Sequence, residues 1–372
     1  TPNYLKQHSM QLWNTLNKEE LEMHLREVGH KFVTISFYQY AKIANPRLFR
    51  DHLFKMWSNL DVIGRTYVAT EGINAQIAVP KANLGQFREE LYQIDFLNGI
   101  RLNFAVDDAE ADFSFLKLKI KVRSKILADG LSDDTFDVTD KGVHLDAAAF
   151  NQLTDDPNTL LIDFRNHYEW EVGHFKGAVL PDVDTFRESL PFIEETVLKG
   201  NEDKNIVMYC TGGVRCEKAS AWFKHRGFKN VHQLEGGIIK YANDCNEKGL
   251  ENKFIGKNFV FDERRAERIT PDIIAVCHQC GSPADTHTNC ANEACHLLFI
   301  QCDNCKSQMQ NCCSTPCQEI IQLPIEQQKE LRKGKNKSNL IFKKGRSAAL
   351  PFQEKKEKPQ ALVEQVLKNQ AP

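Results

Sequence analysis

The stretch that most restricts the fold is "NIVMYCTGGVRCEKASAWFKHRGF", Asn205 to Phe228. Its opening apolar run reads as a buried strand, and the periodicity from about Glu217 to Arg226 reads as a helix. Only Thr211 to Cys216 separate the two after Cys210. A strand that switches so abruptly to a helix belongs to a parallel α/β arrangement, with helices covering the sheet. "TLLIDF", "AVLP" and "VHQLEGG" supply further strands between helical stretches, so residues 143–245 are expected to form one such sheet.

The loop itself carries chemistry. Gly212 and Gly213 allow backbone conformations that turn successive N–H groups inward, and the helix start aims its positive end at the same spot. Both effects lower a thiol's pKa and cradle an anion, and Arg215 adds a fixed charge. A lone cysteine would fit a buried core role. Cysteine, two glycines and arginine at a strand-to-helix switch point instead to a reactive Cys210, with Arg215 beside it and Thr211, Gly212, Gly213 and Val214 forming the active-site loop. Cys216 is open to two readings, a thiol that resolves oxidised Cys210 or a residue facing the core from the first helical turn.

The cysteines define a second feature. Of twelve, all but Cys210, Cys216 and Cys245 lie between Cys277 and Cys317. Cys277-x2-Cys280 and Cys302-x2-Cys305 are paired metal knuckles flanking Cys290 and Cys295, with Cys312, Cys313 and Cys317 following. An interleaved arrangement puts Cys277, Cys280, Cys302 and Cys305 at one site, and Cys290, Cys295, Cys317 and either Cys312 or Cys313 at the other. Side-by-side pairing, or substitution by His278, His287 or His296, also fits the spacing. Structural zinc is the expectation, because all-cysteine sites leave no open position for catalysis. Iron–sulfur ligation is the alternative, attractive as a source of electrons.

At 372 residues the chain is too long for one core. Its 48 basic and 50 acidic residues give a net charge of −2, so any nucleic-acid surface must be local. No apolar run approaches a membrane span and no signal pattern opens the chain, whose first residue, Thr1, reads as a processed start. A cytoplasmic, reducing setting without membrane association is expected, and there clustered cysteines hold metal more often than they form disulfides.

Five regions are expected. Residues 1–28 form a helical N-terminal extension. Residues 29–128 follow a β-α-β-β-α-β order with one more strand, a ferredoxin-like α+β module. Residues 129–250 hold the parallel sheet and the cysteine loop, and 251–320 the cysteine-rich region. Residues 321–372 form a basic flexible tail, with a short helix in "PQALVEQVLKNQ". Within the second region "KLKIKVRSKI" sets Lys117, Lys119, Lys121, Arg123 and Lys125 against Leu118, Ile120, Val122 and Ile126. Period two puts the cations on one face. This pattern serves an edge strand protected from aggregation as well as a stripe that tracks nucleic-acid phosphates.

"DFRNHYEWEVGHFKGAVLP", "CTGGVR" and "LEGGI" resemble the rhodanese signatures in order and spacing. The span from Cys210 to Arg215 has the length seen in sulfurtransferase members, whereas related phosphatases use a longer loop. In that fold Asp163 and Arg165 are supporting residues that order loops beside the active site, Glu169 can pair with Arg165 at helical spacing, and His174 is structural. With "GRTYVATEGINAQIAV" before these motifs and "CHQCG…NCANEACHLLFIQC" after them, roughly residues 30–320 resemble the bacterial rhodanese-domain family of tRNA uridine hydroxylases. That resemblance implies a tRNA-modifying oxygenase that uses molecular oxygen to form 5-hydroxyuridine at the wobble position, with Cys210 essential and the tRNA anticodon loop as partner. It also favours the nucleic-acid reading of Lys117 to Lys125. No haem, flavin or nicotinamide motif accompanies it. The alternative function is rhodanese-type sulfur transfer through a cysteine persulfide.

Overall fold

The structure is a computed structural model that describes residues 17–106, 113–132, 134–333 and 346–353, with Val363, Glu364 and Lys368. It contains two compact units, Thr1–Leu127 with Asp262–Arg264, and Ala128–Phe261 with Arg265–Pro372. Among the described residues no helix is long and apolar enough to cross a membrane.

The first unit runs α1 (Lys18–Val28), β1 (Phe32–Tyr40), α2 (Pro46–Ser58), β2 (Ile63–Ala69), β3 (Gly72–Pro80), α3 (Leu84–Tyr92), β4 (Asn103–Phe104) and β5 (Leu118–Val122). Pro46 fits the first turn of α2, where its missing N–H costs nothing, and the Asn45 side chain accepts from Leu48 N–H. The sheet order is β4-β1-β3-β2-β5. This is the expected ferredoxin-like arrangement, with β5 added parallel to β2. Leu53 and Trp57 of α2 and Phe87 and Leu91 of α3 cover one sheet face, against Ile35, Phe37, Val68, Ile73 and Ile77. β5 is an edge strand in which Ile120 is buried and Lys119 exposed, while Leu118, Lys121 and Val122 are all half-buried.

The second unit runs β6 (Val143–Leu145), α4 (Ala147–Thr154), β7 (Thr159–Asp163), α5 (His167–Trp170), β8 (Gly173–Phe175), α6 (Phe186–Ile193), β9 (Asn205–Tyr209), α7 (Val214–His225), β10 (Val231–Leu234), α8 (Gly237–Lys248), β11 (Phe254–Phe259) and β12 (Ala266–Arg268). Four strands pair in parallel in the order β6-β10-β9-β7. β9 is central and Ile206 to Tyr209 are fully buried, which explains an apolar run without alternation. "AVLP", read as a strand, contributes a single bridge, Val179 to Ile162. β11 belongs by sequence to the cysteine-rich region, yet it pairs with β8 and β12.

The cysteine-rich stretch adds β13 (His287–Asn289), β14 (Leu298–Ile300), α9 (Asp303–Gln308) and α10 (Thr315–Ile321). Beyond residue 320 the chain differs from the flexible tail expected there. α11 (Ile325–Arg332) forms, and Leu350 is buried in the apolar cluster around Cys290 and Cys317. The basic run 334–345 lies outside the described residues. So do residues 1–16 of the N-terminal extension and most of the expected terminal helix.

Candidate active site and metal centres

α7 starts at Val214, three residues before the expected Glu217, so the loop is shorter and Arg215 and Cys216 fall in the first helical turn. Gly213 makes this possible: it precedes the helix at φ 101°, a left-handed conformation that a side chain would oppose. Its N–H donates to Cys210 Sγ at 3.1 Å. The loop backbone is held from the other side by α8, where Ile238 N–H donates to Cys210 O at 3.0 Å and Ile239 N–H to Thr211 O at 3.2 Å. A Cβ at Gly237 would lie 2.5 Å from Cys210 O and 2.6 Å from Thr211 O. The glycine of "LEGGI" is therefore a packing requirement of the cysteine loop.

Arg215 is buried and its guanidinium binds Glu169 in two-pronged fashion, at 2.7 and 2.8 Å. The expected Glu169–Arg165 side-chain pair does not form. α5 begins only at His167, so residues 165 and 169 are not one helical turn apart, and Arg165 instead takes Asp163 at 2.7 Å. Glu169 sits at the third position of α5, where it also accepts from Asn166 N–H at 3.0 Å. That local cap is a signal the sequence carries for the placement of Glu169; its pairing with Arg215 leaves none. All four charged side chains are almost fully buried. Removing one partner of such a pair typically costs about 3–5 kcal/mol, because the other charge stays buried alone.

Burial pushes the Cys210 thiol up. A hydrogen bond from the Cys216 thiol, the Arg215 charge and the amides of Cys216 and Arg215 outweigh it and bring Cys210 down to about 5. Burial and the Cys210 sulfur push Cys216 well above the ordinary thiol range, so Cys216 is the proton donor of the pair. Cys216 is buried from the first turn of α7, in line with the core-facing reading, and its thiol also hydrogen-bonds Cys210. A sulfur that meets a nucleobase would be expected at the surface, yet Cys210 is 0 % exposed. Thr211 and Gly212 are half-buried, and Thr211 Oγ donates to Phe259 O at 3.4 Å. Phe261, 37 % exposed, lies 6.0 Å from the Arg215 guanidinium. Any group that is to meet this sulfur needs a local opening. His174 Nδ1–H donates to Trp170 O at 3.1 Å.

The alkylation of Cys210 by iodoacetamide is expected to fall as pH drops through about 5 and to be flat from pH 6 to 8. An ordinary thiol would still be gaining rate at about pH 8.5. Peptide mass spectrometry across pH 4–9 checks this. The required opening slows the absolute rate and leaves the midpoint in place.

The cations of β5 lie in the first unit. The parallel register sets Lys119 beside Arg65 and Lys121 beside Tyr67. Partial burial, then the charges of Lys121, Lys117 and Arg65, hold the Lys119 ammonium below its ordinary pKa. Arg123 and Lys125 follow the strand end, with the Arg123 guanidinium 5.7 Å from the Tyr67 ring centre.

Two four-cysteine groups assemble: Cys277, Cys280, Cys302 and Cys305, and Cys290, Cys295, Cys313 and Cys317, with ligand atoms within 4.8 Å of one another. This is the interleaved arrangement. Cys312, included among the ligand candidates by sequence, falls outside both groups, as do His278, His287 and His296. Cys312 is fully buried in the neighbouring apolar cluster. Sulfur separations of 3.7 Å for Cys280–Cys302 and Cys295–Cys313, and 3.8 Å for Cys313–Cys317, are far too long for disulfides. They match the edge of a tetrahedron of thiolates around one zinc ion, about 3.8 Å for bonds of about 2.3 Å. A polynuclear cluster would interpose its own atoms and spread the sulfurs further. Both donor sets therefore fit a single tetrahedral metal ion.

Three family models match the chain: a UPF0176 acylphosphatase-like domain at residues 32–126, a rhodanese-like domain at 146–244 and a rhodanese C-terminal region at 255–318. Proteins called tRNA uridine(34) hydroxylase are similar over nearly the whole chain. The relative from Enterobacter sp. is 52% identical, covering 90% of this chain and 95% of its own. That from Photorhabdus laumondii is 51% identical with the same coverage, and that from Leptospira interrogans 50% identical over 90% of each chain.

Proposed function

The chain belongs to the tRNA uridine(34) hydroxylase family, and from this premise we propose that it converts uridine 34 of tRNA to 5-hydroxyuridine in an oxygen-dependent reaction run by Cys210. The observation that carries the reading is the Cys210 loop, where Gly213 N–H meets the sulfur at 3.1 Å at the start of α7 and the neighbouring charge and amides favour the thiolate.

Uracil C5 is unreactive by itself. Addition of the Cys210 thiolate to C6 makes an enolate whose nucleophilic carbon is C5. Arg215 and the amides from Thr211 to Val214 stabilise the charge that develops on O4, or hold an adjacent phosphate. One atom of molecular oxygen enters at C5. The other leaves as water, with two electrons and two protons from an external reductant. Loss of the C5 proton and of the thiolate restores the ring. Asp163 and Arg165 support the loop. A wobble base can be splayed from the anticodon loop at low cost, and Lys117, Lys119, Lys121, Arg123 and Lys125 hold surrounding phosphates. Both cysteine groups take zinc, in a structural role. Acting on tRNA, the enzyme works in the cytoplasm.

The length of the Cys210–Arg215 loop favours a second reading, sulfur transfer through a persulfide on Cys210. Nucleoside mass spectrometry of tRNA from a deletion strain separates the two. Loss of 5-hydroxyuridine and its derivatives, with labelled oxygen gas incorporated by the purified enzyme, is the expected result. Loss of thiouridine with 5-hydroxyuridine intact would replace the hydroxylase reading by the second.

A further inference from the structure

The segment Glu169–Gly173 leads from α5 into β8, and its residues serve two centres. Glu169 holds Arg215, and Gly173 O accepts from Arg165 at 2.7 Å. Between them, Glu171 accepts from His278 Nε2 at 2.7 Å. Val172 is fully buried in one cluster with Ala275, Cys277, Ala284, Ile300 and Cys305. His278 directly follows the ligand Cys277 in the first cysteine group. Its Nδ1 accepts from Ile300 N–H at 3.3 Å, which assigns the ring proton to Nε2, and its own N–H donates to Ile300 O at 3.0 Å. The His278 side chain is 1 % exposed and that of Glu171 10 %.

The segment has little freedom to slide. Lys257 N–H donates to Val172 O at 2.8 Å, and a Cβ at Gly173 would meet Lys257 O at 2.2 Å. The second cysteine group packs instead with Leu297, Phe299 and Leu350, in a cluster that includes no residue of this segment. The two groups, alike in composition, are thus unequal in what they touch.

We propose that Glu171 and His278 are positioning residues for the Cys210 loop: the first cysteine group, closed around its metal, fixes His278, which fixes Glu171 and, two residues away, the Glu169 that holds Arg215. This rests on the reading of Cys210 as the reactive thiolate. The second group has no part in it.

The test uses the full-length, metal-loaded protein and reads the pH dependence of Cys210 alkylation by iodoacetamide, with metal content measured on the same samples. Glu171→Ala, with both metals retained, is expected to shift the midpoint upward and slow alkylation at pH 6 about tenfold. Glu171→Gln keeps an acceptor for His278 and is expected to restore most of the rate. Cys280→Ser, in the first group, is expected to reproduce the shift, and Cys295→Ser, in the second, to leave it unmoved. An unchanged profile in Glu171→Ala with its metals bound, or equal shifts in the two cysteine variants, overturns the proposal. Should Glu171→Ala fail to fold, the pair of cysteine variants decides. An ordinary thiol midpoint in the unmodified protein would instead sink the thiolate reading beneath it.

Discussion

Replacing Cys210 with serine is expected to abolish 5-hydroxyuridine formation while leaving tRNA affinity unchanged. Serine nearly matches cysteine in shape, so Gly213 N–H and the neighbouring α8 amides keep their places around the loop. What changes is ionisation. The surroundings that bring the thiol down to about 5 cannot bring a hydroxyl, which starts far higher, into the physiological range. The nucleophile is then absent, and losses on the order of 10³-fold or more are typical of such deletions. The double replacement Lys119→Ala, Lys121→Ala should give the reciprocal phenotype. Affinity for tRNA falls, and the salt slope of binding drops by roughly 0.7–0.9 for each phosphate that is no longer neutralised. Nucleoside mass spectrometry and filter binding at several salt concentrations read the two effects. Turnover in Cys210→Ser would eliminate both the addition and the persulfide routes. Undiminished binding in the lysine variant would remove β5 from the tRNA surface.

Metal removal is expected to have the second large effect. Between Cys277 and Cys317 the regular structure is sparse, two three-residue strands and short helices, and cysteines themselves make up much of the apolar cluster there. So little apolar burial does not hold a fold alone, and a structural zinc typically contributes about 10–16 kcal/mol in small metal-dependent domains. Without the ion, four converging sulfurs in each group lose the charge that draws them together. The purified protein should contain two zinc ions per chain and be colourless. A strong chelator should make residues 277–317 protease-sensitive and lower the thermal midpoint. Elemental analysis, an absorption spectrum and limited proteolysis check these points, and a brown, iron-loaded protein would overturn the zinc assignment.

Much of this architecture is written in local patterns. The apolar run ending at Cys210, the glycines after it and the alternating β-α order of residues 143–245 each act over a few residues, so each can be read without coordinates. The same holds for the two cysteine knuckles, whose spacing constrains ligands close in the chain. The helix start at Val214 lies three residues ahead of its periodic signal because a glycine with positive φ begins a helix without the usual polar cap.

The alternating β-α order of residues 143–245, the cysteine loop and the existence of two metal-type groups were therefore determined by the chain's own succession of residues. Three matters waited for the tertiary structure: that Glu169 serves Arg215 rather than Arg165, that Cys313 rather than its neighbour Cys312 joins the second group, and that the Cys210 sulfur is enclosed. Each depends on which distant segment fills the space beside a side chain. Charge, thiol and burial find their partners through packing across the fold, where proximity in sequence carries little information.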